Sequence, residues 1–236
     1  MIRNIMNYTE DEIIKMCDNA LEDIATFYRK DFINYRGKSS DTKRYYTEIV
    51  AECILNHLNF FKNNIPVINR QSCYNLDHNG YYREETGRVE EVIAIKMFNR
   101  SAKDGYCYKG IGKIIDYQTP LKSKRTDAAG KVDLLAYDGN VLRILELKKP
   151  SSEETMLRCV LEGYTYLCTA DKKKLLCDFA LPQDTEVRAS PFVFMNGEQW
   201  KEWNEGRPML FRLMLELDIK PYFIQEKDEK YEVMEA

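Results

Sequence analysis

The chain has 236 residues, of which 44% are hydrophobic and 31% charged, and it carries a formal net charge of −3. These values are ordinary for a soluble globular protein and suit one well-buried domain or one domain with an added helical lobe; the mildly acidic balance argues against a protein that coats nucleic acid generally. No apolar run approaches the roughly 18 residues that span a bilayer, and MIRNIMNYTEDEII has no signal-peptide features, so a cytoplasmic protein without membrane contact is expected.

The chain shows no internal repeat and no low-complexity tract. Thr9 followed by Glu12 has the pattern of a capping box, and Ile13, Ile14, Cys17, Ala20, Leu21, Ile24 and Phe27 recur at helical spacing, predicting a helix from Thr9 to about Tyr35. After a loop near Gly37–Asp41, a second helix is expected from about Thr42 to Phe61, closed by Ile65-Pro66. Asn69–Tyr82 is an irregular connection, and a third helix is expected over about Thr86–Arg100. The period then changes to that of strands at Gly112–Gln118, Lys131–Tyr137 and Val141–Lys148, with Pro150 stopping the last. Ser152, Glu153 and Glu154 open a helix running to about Ala170. Pro191–Met195 predicts a fourth strand, Glu198–Glu205 a short helix, Met209–Ile219 a mixed stretch and Tyr222–Gln225 a terminal strand. The expected fold is α/β, with an αβββαβ core whose small mixed sheet is flanked by helices. An N-terminal helical region (1–85) precedes the core and its C-terminal extension (86–236).

The seven cysteines are odd in number and form no CxxC pair. The two histidines, His57 and His78, lie far in sequence from any pair of cysteines, so no structural zinc site is expected. Cys159, Cys168 and Cys177 are too evenly spread to suggest an iron–sulfur cluster. Charge is uneven along the chain. Lys103–Lys149 holds ten Lys/Arg against six Asp/Glu, a local balance of +4 that leaves −7 elsewhere. A basic zone that encloses acidic residues suits a site that attracts phosphate and also holds a cation, and Lys122, Lys124, Arg125 and Lys131 are expected to line its approach.

The chemistry is concentrated in GKVDLLAYDGNVLRILELKK. Tyr137-Asp138-Gly139-Asn140-Val141 signals a two-residue hairpin. With Gly139-Asn140 as the loop, Asp133 lies opposite Glu146; with Asp138-Gly139 the two are diagonal neighbours on the same face. Lys148, two residues beyond Glu146, shares its face, whereas Lys149 points the other way. Val132, Leu134 and Leu147 are assigned to one face and Leu135, Leu142 and Ile144 to the other, which implies a sheet covered on both sides. Two buried carboxylates repel unless a cation joins them, and Mg²⁺ takes one or two carboxylates together with water and phosphate. With a lysine beside them, these groups suit metal-assisted phosphodiester hydrolysis. The competing interpretation is a hairpin-end salt bridge.

Asp133, twelve intervening residues and then Glu146-Leu147-Lys148 resembles the D…(D/E)xK signature of the PD-(D/E)XK, or restriction-endonuclease-like, nuclease superfamily, over roughly Thr86 to Met195. One departure is Val132, where the motif often has Pro. The resemblance implies a Mg²⁺- or Mn²⁺-dependent nuclease, with DNA favoured over RNA. Asp133, Glu146 and the Leu147 carbonyl would bind metal, Glu90 (with Glu91 as substitute) would assist, and Lys148 would position water or stabilise charge. Glu162 and Tyr166, four apart on the following helix, and Arg158 one turn earlier are implied accessory residues. The N-terminal helices would select substrate or mediate a homodimer. The alternative function is a catalytically weak or inactive nucleic-acid-binding module on the same fold.

Overall fold

A computed structural model describes residues 7–83, 87–228 and 230–236. The hairpin turn sets its central geometry. Asp138 Oδ1 accepts hydrogen bonds from the backbone N–H groups of Asn140 and Val141, and strands β2 (Lys131–Tyr137) and β3 (Val141–Leu147) pair antiparallel, with Tyr137 opposite Leu142 and Leu134 opposite Leu145. This is the register of a Gly139-Asn140 loop. On the other edge of β2, strand β1 (Lys113–Pro120) pairs antiparallel, with a bulge between Ile114 and Asp116. On the other edge of β3, strands β4 (Glu186–Phe194) and β5 (Tyr222–Lys227) follow in parallel, and β6 (Lys230–Glu235) closes the far edge antiparallel. Among the described residues the six strands form one mixed sheet in chain order.

Helix α4 (Val89–Asp104) covers one face of this sheet and α5 (Met156–Thr169) the other. The α4 side buries Ile93, Met97, Leu134, Leu145 and Leu147 together. The α5 side buries Leu135, Leu142 and Ile144 in a larger core that also takes in Ile13, Phe27, Tyr28 and Ile54 from the N-terminal helices. Val132 joins this second core and not the Leu134 side expected from strict alternation. The departure coincides with Gln118, opposite Asp133, which has left-handed backbone (φ 50) inside β1. Because α5 lies between the sheet and the N-terminal region, most of its residues are buried, as an interior helix requires. The fold is thus α/β with N-terminal helices, and its central order is helix, three strands, two helices (α5 and α6, Lys172–Asp178) and strand β4, one helix more than the expected αβββαβ core.

Several element boundaries differ from the sequence expectation for local reasons. The first helix is α-helical only over α1 (Glu10–Ala20), whose Thr9 and Glu12 complete the capping box. It continues as 3-10 segments, Leu21–Arg29 and Asp31–Asn34, because Asp23 leaves helical geometry (φ −124, ψ 66) while accepting a hydrogen bond from Thr26. The second helix is split at His57 into α2 (Tyr46–Asn56) and α3 (Leu58–Asn64). The expected start of the third helix at Thr86 lies outside the described residues. Helix α5 starts after Thr155, not Ser152, since the Thr155 hydroxyl caps the Arg158 N–H. Helix α6 (Lys172–Asp178) and strand β6 were not anticipated, and Met209–Ile219 is mostly helical, as α8 (Pro208–Glu216), after α7 (Glu198–Asn204). No helix among the described residues is long and apolar enough to cross a membrane.

Gly112, just before β1, has φ +80, and an added Cβ there would collide with the Tyr137 carbonyl oxygen at the end of β2. Gly105 also has positive φ but faces open space. Gly112→Ala is expected to cost more than the roughly 1 kcal/mol expected of Gly105→Ala, reaching about 2–4 kcal/mol. Chemical denaturation of the two variants checks this; equal midpoints would contradict it.

Candidate active site

Beyond Leu134 and Leu145 the β2–β3 pairing ends, and side chains take over from the backbone ladder. Asp133 Oδ2 accepts a hydrogen bond from the Leu147 N–H (3.0 Å), while its Oδ1 accepts from the Gln118 amide (3.1 Å). The backbone N–H of Lys148 donates to the Phe192 carbonyl of β4 (3.1 Å), which fixes the chain as it leaves β3. The separating strands thus bring Asp133 and Glu146 within electrostatic reach of each other.

Lys148 occupies the centre. Its ammonium lies 2.7 Å from Glu146 Oε1, 2.7 Å from Glu154 Oε2 and 3.2 Å from Glu162 Oε2, and the residue is only 7% exposed. Glu162 accepts a hydrogen bond from the Tyr166 hydroxyl (2.9 Å) and lies 3.5 Å from Arg158 Nε. Arg158 also donates to the Tyr28 carbonyl, and the Tyr28 ring packs edge-on against Tyr166. The N-terminal region therefore supports the site from behind α5. Gly130 leaves the space that the Tyr166 hydroxyl fills, and Gly163 brings α5 close to Glu146.

The implied residues separate on geometry. Glu90 Oε1 accepts from the Lys149 N–H (3.1 Å), so it stands at the end of β3. Glu91 pairs instead with Arg88 (3.2 Å). Lys149 is half-buried and joins none of the Lys148 ion pairs. Lys122, Lys124, Arg125 and Lys131 are exposed on and beside the β1–β2 connection, which Asp127 organises by accepting from the Ser123 and Lys124 N–H groups. Sequence reasoning missed Gln118, Tyr28 and the part played by Glu154. Only Glu154 left a trace in the sequence, as an acid at the expected start of α5.

Five carboxylates (Asp133, Glu146, Glu154, Glu162 and Glu90) thus share their surroundings with two cations, Lys148 and Arg158. Burial pushes Asp133 up to about 7, helped by Glu90 and Glu162 and opposed by Lys148 and the Leu147 N–H. Burial likewise raises Glu146 well above the usual range, with Lys148 opposing and Asp133 and Glu162 adding to it. For Glu162 burial acts upward too, but Lys148, Arg158 and hydrogen bonds from Glu146 and Tyr166 outweigh it and leave the group low. For Lys148, burial acts downward and is outweighed by Glu146 and the other acids, so its ammonium is strongly favoured.

The donors here are hard oxygens, which fit Mg²⁺ or Mn²⁺. Among the described residues, however, the one group of three or more His, Cys, Asp or Glu whose ligand atoms all lie within 4.8 Å of one another is elsewhere: Asp18, Cys53 and His57. A cation at Asp133 and Glu146 would accordingly draw on two side-chain carboxylates, with water completing its shell, as Mg²⁺ commonly does. No family model matches the chain, and no curated protein or solved structure is significantly similar to it.

The raised carboxyls fix the sign of a pH effect. Asp133 rises from near 3.9 in the unfolded chain to about 7 in the fold. Its contribution to stability is therefore full below about pH 4 and is lost as pH rises through about 7. In EDTA, Asp133→Asn should remove part of the fall in Tm between pH 5 and 8. Millimolar Mn²⁺ should raise the wild-type Tm more at pH 8 than at pH 6. Thermal melts with identical pH slopes for both proteins would contradict this.

Proposed function

We propose that the chain is a divalent-metal-dependent phosphodiesterase of the PD-(D/E)XK type, acting on nucleic acid, with DNA favoured. The observation that carries this reading is the convergence of Asp133, Glu146 and Lys148 where β2 and β3 separate, inside a cluster with more buried carboxylates than cations. A surface salt bridge does not require such burial, and uncompensated buried charge costs several kcal/mol per ion. A hard divalent ion offsets that cost and, when bound, supplies Lewis-acid polarisation of the phosphate and activation of water.

The roles of the chain's own groups follow from their contacts. Asp133, held by the Leu147 N–H and the Gln118 amide, presents a fixed carboxylate. Glu146 would join it in holding the ion, the Leu147 carbonyl would supply a third oxygen, and Glu90 would assist from the start of α4. Lys148 would orient the attacking water or stabilise charge developing on the phosphate. Glu162, set by Tyr166 and Arg158, positions the lysine. The exposed Lys122, Lys124, Arg125 and Lys131 would meet the nucleic-acid backbone.

One observation favours a second reading. Lys148 is held by three carboxylates, and a lysine locked in that way suits a nucleic-acid-binding module with weak or no catalysis. Activity assays against single-stranded, double-stranded and branched DNA and RNA in Mg²⁺, Mn²⁺ or EDTA separate the two. The nuclease reading expects metal-dependent cleavage that Asp133→Asn abolishes. Lys148→Gln should lower the cleavage rate by about 10²–10⁴, whereas Lys149→Ala should stay within a few-fold. Lys148→Gln is also expected to lower the metal-free Tm, because Glu146, Glu154 and Glu162 lose their shared cation. Nucleic-acid binding without cleavage in any metal would support the second reading, and equal losses in both lysine variants would overturn the assignment of Lys148.

A further inference from the structure

Far from Asp133 in the sequence, helices α1 and α2 bring together a thiol, an imidazole and a carboxylate. Cys53 and His57 are four residues apart, which sets them on one face at the C-terminal end of α2. Asp18, near the end of α1, faces them both. Its Oδ1 lies 3.6 Å from Cys53 Sγ and 3.5 Å from His57 Nε2, and the three ligand atoms all lie within 4.8 Å of one another.

The Cys53 thiol donates a hydrogen bond to Asp18 Oδ1 at this distance, but hydrogen bonding explains the His57–Asp18 separation poorly. A charge-assisted N–H···O bond is about 2.7–2.9 Å long, well short of the His57–Asp18 distance. A tetrahedral zinc ion accounts for both. With bonds of about 2.3 Å to sulfur, 2.05 Å to nitrogen and 2.1 Å to oxygen, it holds S and O about 3.6 Å apart and N and O about 3.4 Å apart.

The surroundings suit an ion. The group lines a pocket of about 140 Å³, with room for a water as fourth ligand. Glu52 also lines it, but its carboxylate is engaged by Arg44 at 2.6 Å, which leaves Asp18, Cys53 and His57 as the donors. Cys53 is nearly buried (5% exposed), while the side chains of Asp18 and His57 are about half exposed, so the pocket has an entry path. The buried thiol of Cys17 lies beside Cys53, where it can back the sulfur as an outer partner does.

We infer that Asp18, Cys53 and His57 form a site for a thiolate-preferring divalent transition metal, Zn²⁺ by chemistry, that ties α1 to α2. Binding converts the Cys53 thiol to a thiolate, and the released proton goes to solvent. The mixed sulfur, nitrogen and oxygen set selects against Mg²⁺ and Ca²⁺, which take oxygen ligands. The site is therefore chemically distinct from the carboxylate cluster at Asp133 and independent of the function proposed there.

The test titrates the reduced, metal-free full chain with Co²⁺ in excess Mg²⁺, using Co²⁺ as the spectroscopic substitute for Zn²⁺. One equivalent should produce a near-ultraviolet thiolate-to-cobalt band and the intense visible bands of a tetrahedral ion, and Zn²⁺ should bleach both. Cys53→Ser should abolish the thiolate band. His57→Ala should weaken binding at least about tenfold, and Cys177→Ser, which alters an exposed thiol elsewhere, should change nothing. The absence of a thiolate band in the wild type, or its persistence in Cys53→Ser, would overturn the inference. Should Cys53→Ser fail to fold, His57→Ala at its half-exposed position decides, and unchanged affinity in that variant would overturn the site.

Discussion

The constraint on which the centre of this molecule depends is the burial of more negative than positive charge beside one lysine. Glu146, Glu154 and Glu162 all converge on Lys148, while Asp133 is held nearby by backbone and amide N–H groups and not by a cation of its own. A fold tolerates such an arrangement only by protonating some carboxyls or by taking up a cation. The upward push on Asp133 and Glu146 corresponds to the first solution in the metal-free chain. A bound divalent ion is the second, and it would restore both carboxylates to their charged forms.

Much of the architecture serves that cluster. Helix α5 carries Glu162, Arg158 and Tyr166 on its flank, and the N-terminal helices cover its outer side, contributing Tyr28. The left-handed backbone at Gln118 puts an amide opposite Asp133 at a place where a regular strand would continue the ladder. Non-glycine residues in this conformation carry a cost, and they persist where the surroundings over-determine them. Helix α4 reaches the same end of the sheet from the opposite face, where Glu90 accepts from the Lys149 N–H.

The parts of this picture that were legible in the sequence are those fixed by short-range periodicity and turn chemistry. Asp138-Gly139-Asn140 set the hairpin, and the period of two placed Lys148 beside Glu146 and kept Lys149 apart from it. The capping box at Thr9 and Glu12 was equally readable. What escaped was decided by side chains competing with the backbone or by distant packing. Asp23 and Thr26 broke the first helix, the Thr155 hydroxyl moved the start of α5, and Val132, beside the left-handed position at Gln118, lies in the other core. Glu90 and Glu91 were not separable by spacing, because only the end of β3 distinguishes them. The Asp18–Cys53–His57 group also lay hidden, since the Cys53–His57 spacing gains meaning only once α1 places Asp18 against it.

The most direct measurement of the central claim is anomalous diffraction from a crystal of the wild-type chain soaked in Mn²⁺. An anomalous peak between Asp133 and Glu146 is expected that disappears in Asp133→Asn, with the Lys148 ammonium still nearby. A well-ordered site without a peak, in which Lys148 alone bridges the carboxylates at saturating Mn²⁺, would contradict it.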